Sequence, residues 1–177
     1  MLLERHYSAV AFVGQHARAN TAGGVMAHSY SSLGIQTLLM NGKPVGEIET
    51  RAALAGWYNV PVIFLNGDEA AARQLHEIVA DAVTAPVKEG IDNYTCISLA
   101  AEASRRLIRE RAAAAMAAIG KIRPYRVEGP VTFQIEHTSR NALQPDAALA
   151  PGAEAIDART IRFRGKDFLE AWQRARL

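Results

Sequence analysis

Short, mainly apolar segments alternate along the chain with amphipathic segments of helical length, and this alternation restricts the possible folds more than any other feature. Ser8–Val13 (SAVAFV) and Pro61–Asn66 (PVIFLN) are too short for typical helices and are apolar on both faces, which is typical of buried strands. Between them, Gly46–Tyr58 carries apolar residues at helical spacing, including Ile48 and Leu54. Because strands that alternate with helices form helix-covered sheets, the sequence predicts a layered α/β fold with a parallel or mixed sheet.

The remaining segments continue the same pattern. Asp68 is predicted to cap a helix over Glu69–Ala80, because its carboxylate can accept the free amides of the first turn. Ser98 is predicted to cap a long helix that ends near Ile119, before Gly120. The other predicted segments are the strands Leu33–Met40, Ala82–Lys88, Val131–Glu136 and Thr160–Arg164, the irregular stretch Thr138–Ala158 and a final helix Asp167–Ala175.

Composition narrows the possible partners. Apolar residues make up 49% of the 177 residues, which is enough for a sizeable core. Twenty Lys and Arg against eighteen Asp and Glu leave a net charge of +2, so we expect no nucleic-acid partner. The apolar runs are far shorter than the ~20 residues of a bilayer span, so we expect no membrane partner. The single cysteine, Cys96, cannot form an internal disulfide and is compatible with a reducing compartment.

The polar loop after the first predicted strand contains the side chains best suited to bind a metal or to catalyse a reaction. This loop, Gly14–Ser29 (GQHARANTAGGVMAHS), contains His16 and His28, and Glu47 follows the next strand at the start of a helix. Ligands of α/β proteins bind at the carboxyl ends of strands. Imidazole and carboxylate both bind zinc, and histidine moves protons near neutral pH. His16 and Glu47 can therefore converge on a metal ion, with His28 as an acid or base. Two ligands are fewer than a zinc site needs, so ordinary hydrogen-bonded histidines remain the alternative.

We expect no catalytic or binding site at the other reactive side chains. His76 is expected on a helix surface, and the pair Glu136-His137 is expected to form local hydrogen bonds. Cys96 is expected to be an inert thiol. The arginines at 105, 106, 109 and 111 lie along one predicted helix together with Glu102 and Glu110, which is typical of a solvated helix face with ion pairs.

Several segments together resemble the D-aminopeptidase (DppA) family of zinc peptidases. They are GQHARANTAGGVMAHS at 14–29, NGKPVGE at 41–47, GWYNVPVIFLNGD at 56–68, TAPVKEGI from 84, and FQIEHTS, LAPGAE and IRFRGKDFLEAW in the last third. The resemblance follows the chain in order over nearly its whole length. It therefore implies one family domain over residues 1–177.

The resemblance also implies a function and a set of site residues. His16 and Glu47 correspond to zinc ligands of a two-metal site, and His28 corresponds to the catalytic histidine. The implied activity is the hydrolysis of short peptides with N-terminal D-amino acids, such as D-Ala-D-Ala. A cytoplasmic location and a homo-oligomeric assembly are implied as well. Arg18 and Asn20 are the nearby candidates to orient His16.

The chain departs from the family pattern in its metal-binding motifs. The family's opening strand carries an Asp-x-Glu motif, and a later Asn-Asp-Ser-His-like segment supplies another histidine ligand. Neither precedes His16 here. We therefore expect a family domain that is incomplete at its N-terminus, with at most a partial site for Zn²⁺. The alternative is a non-catalytic remnant or scaffold subunit of the same family, and a third interpretation keeps the hydrolase chemistry with a different amide substrate.

Overall fold

The computed structural model describes residues 7–139 and 152–177, which form two sheets with four helices. In chain order the elements are β1 (Val10–Gln15), β2 (Ile35–Met40), β3 (Lys43–Pro44), α1 (Glu47–Trp57), β4 (Val62–Asp68), α2 (Glu69–Ile78), β5 (Val83–Gly90), β6 (Cys96–Ser98), α3 (Ala101–Ala117), β7 (Val131–His137), β8 (Ala153–Ala155), β9 (Thr160–Gly165) and α4 (Phe168–Ala175). The mixed α/β fold predicted from the sequence is confirmed. Across the described residues, no helix combines the length and apolar character needed to cross a bilayer.

The first sheet has the strand order β1-β4-β5-β6 and contains the parallel strands. β4 pairs in parallel with β1 and with β5, whereas β6 is antiparallel to β5. All seven residues of β4 are buried, as its apolar sequence predicts. α2 follows at once, and Asp68 accepts the Ala71 N–H at 2.6 Å, so the predicted cap is confirmed. The carboxyl ends of β1, β4 and β5 therefore lie side by side.

The second sheet is antiparallel throughout, with the order β3-β2-β7-β9-β8. Its buried core includes Leu38 of β2, Phe133 of β7 and Phe168 of α4. The aromatic rings of Phe133 and Phe168 meet edge to face, with centroids 6.1 Å apart. Such contacts stabilise a core beyond the area they bury.

Helix α1 belongs to both cores. Ile48 and Ala52 pack in the core of the first sheet, whereas Ala53 packs in the core of the second. Gly56 lets the backbone at Tyr125 approach this helix, because a Cβ at Gly56 would overlap the Tyr125 carbonyl oxygen. The start of α1 is thus fixed between the two sheets, and Glu47 is its first residue.

Three sequence predictions differ from the structure at the edges of the sheets. Ser98 does not cap a helix. It pairs with Lys88 as part of β6, and α3 begins at Ala101 with Ala100 as N-cap. The first predicted strand is shifted to β1, in which only Phe12 is buried, because β1 pairs on one side only within the described residues. The stretch predicted to be irregular, 138–158, contains the short strand β8, and its residues 140–151 lie outside the described residues.

Candidate metal centre

The structure brings His16, His28 and Glu47 together. His16 directly follows β1, His28 lies at the end of the same loop, and Glu47 begins α1. Each offers a ligand atom, and these three atoms all lie within 4.8 Å of one another. His16 Nε2 is 3.7 Å from Glu47 Oε1, and the two imidazole rings stack with centroids 3.8 Å apart. The spacing is that of groups that can share one cation.

Glu47 shows that this cluster fits a metal ion. The residue is only 6% exposed, and its Oε1 accepts the Tyr30 N–H at 2.7 Å. Its Oε2 is buried and has no hydrogen-bond partner within the described residues. A buried, unpaired carboxylate oxygen is costly unless a cation or a donor completes it. A divalent metal beside Oε2 would remove this cost.

The Nδ1 atoms of both histidines are held by backbone carbonyl oxygens, which leaves each Nε2 available for ligation or proton transfer. His16 Nδ1 lies 2.9 Å from the Ala17 carbonyl oxygen, and His28 Nδ1 lies 2.6 Å from the Met26 carbonyl oxygen. When each Nδ1–H donates to its carbonyl, each Nε2 carries a lone pair. Met26 has a φ of 52°, a left-handed conformation that L residues adopt rarely, and it directs its carbonyl toward His28.

Polar residues at the end of β4 hold the loop that carries both histidines. Asn66 Oδ1 accepts the Gly14 N–H at 3.1 Å, and Asp68 Oδ2 accepts the Val25 N–H at 2.8 Å. Asp68 therefore caps α2 with one oxygen and fixes the loop with the other. The sequence predicts only the helix cap for Asp68 and no role for Asn66. The signal that could have found them is the pair of polar residues that ends an otherwise apolar strand.

An ion pair between Arg18 and Glu49 fixes the loop to α1. Arg18 Nη1 lies 2.7 Å from Glu49 Oε1, and Glu49 Oε2 accepts the Gly46 N–H at 2.7 Å. Arg18 therefore acts on the start of α1, and no hydrogen bond joins its side chain to His16 within the described residues. Asn20 was the other candidate to orient His16, but its amide donates to the Gln36 carbonyl of β2 at 3.0 Å. The expectation that these two residues orient His16 directly is not met.

Tyr30 supports the position of Glu47 through its backbone and its ring. Its phenol hydroxyl lies 2.7 Å from Thr50 Oγ1 on α1, and its backbone N–H donates to Glu47. Burial raises the pKa of Tyr30 well above its ordinary range, so the phenol stays protonated. Tyr30 also has a positive φ of 59°, which directs its N–H toward the carboxylate.

A cavity of about 340 Å³ opens beside the cluster. His16 and His28 line it together with the end of β4, Lys88 of β5 and the apolar side chains Val25, Met26 and Val87. Such a mixture of apolar walls and a few polar groups is typical of a site for a small ligand. The other histidines of the described residues lie outside the cluster: His76 is exposed beside the Ala82 carbonyl, and His137 contacts the Gly34 carbonyl.

The fold and the cluster define a class of protein: α/β proteins with a group of histidine and carboxylate side chains that could hold a metal ion at the carboxyl ends of parallel strands. Within that class, the chain belongs to the D-aminopeptidase family, whose model matches residues 1–177. The resemblance found in the sequence is thereby confirmed.

A sequence comparison and a structure comparison, both with a D-aminopeptidase from Bacillus subtilis, agree with this assignment. The chain is 34% identical over 172 residues to a D-aminopeptidase of Bacillus subtilis (strain 168). The aligned region covers 97% of this chain and 62% of the relative. A solved structure with 32% identity and a TM-score of 0.81 is the Zn-dependent D-aminopeptidase DppA from Bacillus subtilis, a self-compartmentalizing protease. That match covers 96% of this chain and 61% of the other. The chain therefore spans about three fifths of the length of these relatives.

Proposed function

We propose that the chain is part of a zinc-dependent aminopeptidase that hydrolyses short peptides with N-terminal D-amino acids, such as D-Ala-D-Ala. The observation that carries this proposal is the cluster of His16, His28 and Glu47, in which a buried Glu47 oxygen has no partner within the described residues. Relatives that are Zn-dependent D-aminopeptidases support the identity of the metal and the substrate class. The assembled cluster favours a hydrolase over the alternative of a scaffold subunit.

In this proposal His16 and Glu47 hold zinc, as a partial ligand set of a two-ion site. When bound, zinc supplies a Lewis acid for the scissile carbonyl. Glu47 would bind through Oε2 while Tyr30 holds Oε1, and His16 would bind through Nε2 while the Ala17 carbonyl holds Nδ1. These neighbouring contacts fix the orientation of both ligands.

His28 is the proposed catalytic residue. Its Nδ1 is held by the Met26 carbonyl, so its Nε2 is free to accept or donate a proton, or to attack, at the cavity beside the cluster. General acid–base catalysis by a positioned histidine contributes about 10²–10⁴-fold to a rate. Loss of the imidazole should therefore remove most of the activity while the metal ligands remain.

We also propose that residues 1–177 act as one domain, in the cytoplasm and as a homo-oligomer. The helix shared between the two cores supports a single unit. The free cysteine Cys96 is compatible with the cytoplasm. The self-compartmentalizing character of the structural relative supports an assembly, as do the exposed apolar side chains of Tyr94 and Ile97. Light scattering coupled to size exclusion would test the assembly, and a strictly monomeric protein would contradict it.

The activity is tested by release of D-alanine from D-Ala-D-Ala by the zinc-loaded protein. We expect His28→Ala to lower the rate by at least ~10²-fold. His76→Ala is the matched control, because His76 is an exposed histidine outside the cluster, and it should retain the wild-type rate. L-Ala-L-Ala and other amides test the substrate class. No hydrolysis at full zinc occupancy would contradict the proposal and favour the scaffold subunit.

A further inference from the structure

The cavity beside the candidate metal centre has a cationic side chain that the proposed chemistry does not use. Lys88 lies near the carboxyl end of β5 and lines this cavity together with His16 and His28. No other lysine or arginine belongs to the described lining. β1 and β5 are separated by one strand, β4, so their backbones lie about 10 Å apart at the usual ~4.8 Å strand spacing. The cavity therefore joins the histidines to a cation two strands away.

The ammonium group of Lys88 is available to a ligand. Its neighbour in register on β4 is Asp68, which is 2% exposed and already accepts the backbone N–H groups of Ala71 and Val25. Lys88 is exposed and forms no ion pair within the described residues. The adjacent Glu89 is exposed and does not belong to the described lining of the cavity.

The distance between the histidine cluster after β1 and Lys88 on β5 matches the length of a very short peptide. An extended chain spans about 3.3–3.6 Å per residue, so a dipeptide places its terminal carboxylate about 7 Å from its amino end. A peptide whose amino end lies at the cluster would bring that carboxylate toward β5. Val25, Met26 and Val87 supply apolar walls for small side chains between the two ends. A lysine ammonium is a suitable point charge for a carboxylate.

We propose that Lys88 binds the terminal carboxylate of the peptide and so restricts the site to very short substrates. This inference rests on the proposed function and deepens it, because it assigns a residue to substrate length. A longer peptide would place an uncharged amide where Lys88 requires a carboxylate. Blocking the terminal carboxylate of the peptide should therefore weaken its binding without affecting the reacting groups.

The test compares D-Ala-D-Ala with its C-terminal amide in wild-type protein, Lys88→Met and the control Lys121→Met, which replaces an exposed lysine outside the cavity. Wild-type protein should show a KM about 10-fold lower for the free acid than for the amide, as expected for one charge-assisted hydrogen bond. Lys88→Met should remove this preference with little change in kcat, Lys88→Arg should restore part of it, and Lys121→Met should keep it. An unchanged preference in Lys88→Met would overturn the inference.

Calorimetry on the metal-free protein separates this inference from the proposed function. We expect D-Ala-D-Ala to bind wild-type protein about 10-fold more tightly than its amide, and Lys88→Met to bind both alike. If the wild-type protein binds both alike, the role of Lys88 is refuted, whatever the activity. If neither peptide is hydrolysed by zinc-loaded protein but the binding preference depends on Lys88, the activity proposal fails and the carboxylate site stands.

Discussion

Replacement of Arg18 by alanine tests whether a buried ion pair fixes the histidine loop to α1. The Arg18 and Glu49 side chains are 21% and 5% exposed, and their charged atoms are 2.7 Å apart. The substitution leaves the Glu49 carboxylate buried with the Gly46 N–H as its remaining donor in the described residues. Loss of one partner of a buried pair costs about 3–5 kcal/mol, and we expect about 3 kcal/mol here because Arg18 reaches solvent and Glu49 keeps one hydrogen bond.

Urea unfolding of the metal-free protein measures this cost, and thermal unfolding should show a decrease in Tm of about 6–12 °C. Arg73→Ala is the matched control, because Arg73 pairs with Glu69 at 3.6 Å on an exposed face of α2 and should contribute no more than about 0.5 kcal/mol. Zinc affinity measured by calorimetry should fall about 10-fold in Arg18→Ala alone, as for other residues that orient metal ligands. Equal stability and equal zinc affinity in the two variants would show that the pair of Arg18 and Glu49 does not fix the loop to α1.

Three further predictions concern single groups. Glu47→Gln should lower the zinc affinity measured by calorimetry by more than the ~10–100-fold that is typical of residues outside the ligand set. The metal-free variant should be at least as stable as metal-free wild-type protein, since a buried charge is removed. Unchanged zinc affinity would exclude Glu47 as a ligand. Gly67→Ala should destabilise the protein to urea by about 1–3 kcal/mol, because its Cβ meets the Gln15 carbonyl oxygen and forces β1 from β4; wild-type stability would show that the strands are not in close approach. Asp92 accepts a hydrogen bond from the Tyr94 N–H, and this bond is the main reason that the pKa of Asp92 lies below its usual range. The ionised carboxylate therefore stabilises the turn between these two residues fully above the unfolded pKa of ~3.9, and this stabilisation is lost as pH falls through the lower folded pKa. Amide protection in this turn should therefore decrease below about pH 4 in the wild type but not in Asp92→Asn, and identical pH profiles would contradict this role.

The sequence predicted the elements that have a local cause. β4 begins with four apolar residues and is buried throughout, and Asp68 caps α2 as its position before a helical pattern indicates. The short strands β3, β6 and β8 were not predicted, because two or three residues carry no periodicity and pair only through contacts distant in sequence. Ser98 shows the same limit: its side chain suits a helix cap, but pairing with β5 decides its conformation.

The candidate centre was predictable as a set of residues but not as a geometry. His16 and Glu47 each stand where an element ends or begins, and the family motifs connect them. The loop between them turns at Met26 and Tyr30, two residue types that rarely adopt a positive φ, so no sequence pattern signals these turns. These turns place the carbonyl that holds His28 and the amide that holds Glu47, so the convergence depends on tertiary contacts.

Anomalous diffraction at the zinc edge, from crystals grown with zinc, would show whether His16 and Glu47 bind this metal. We expect an ion about 2.0–2.2 Å from His16 Nε2 and from Glu47 Oε2. His16→Ala crystals under the same conditions should lose this peak or show it greatly reduced. An anomalous peak elsewhere on the protein, or none at saturating zinc, with Glu47 Oε2 hydrogen-bonded instead, would show that these two residues do not bind zinc.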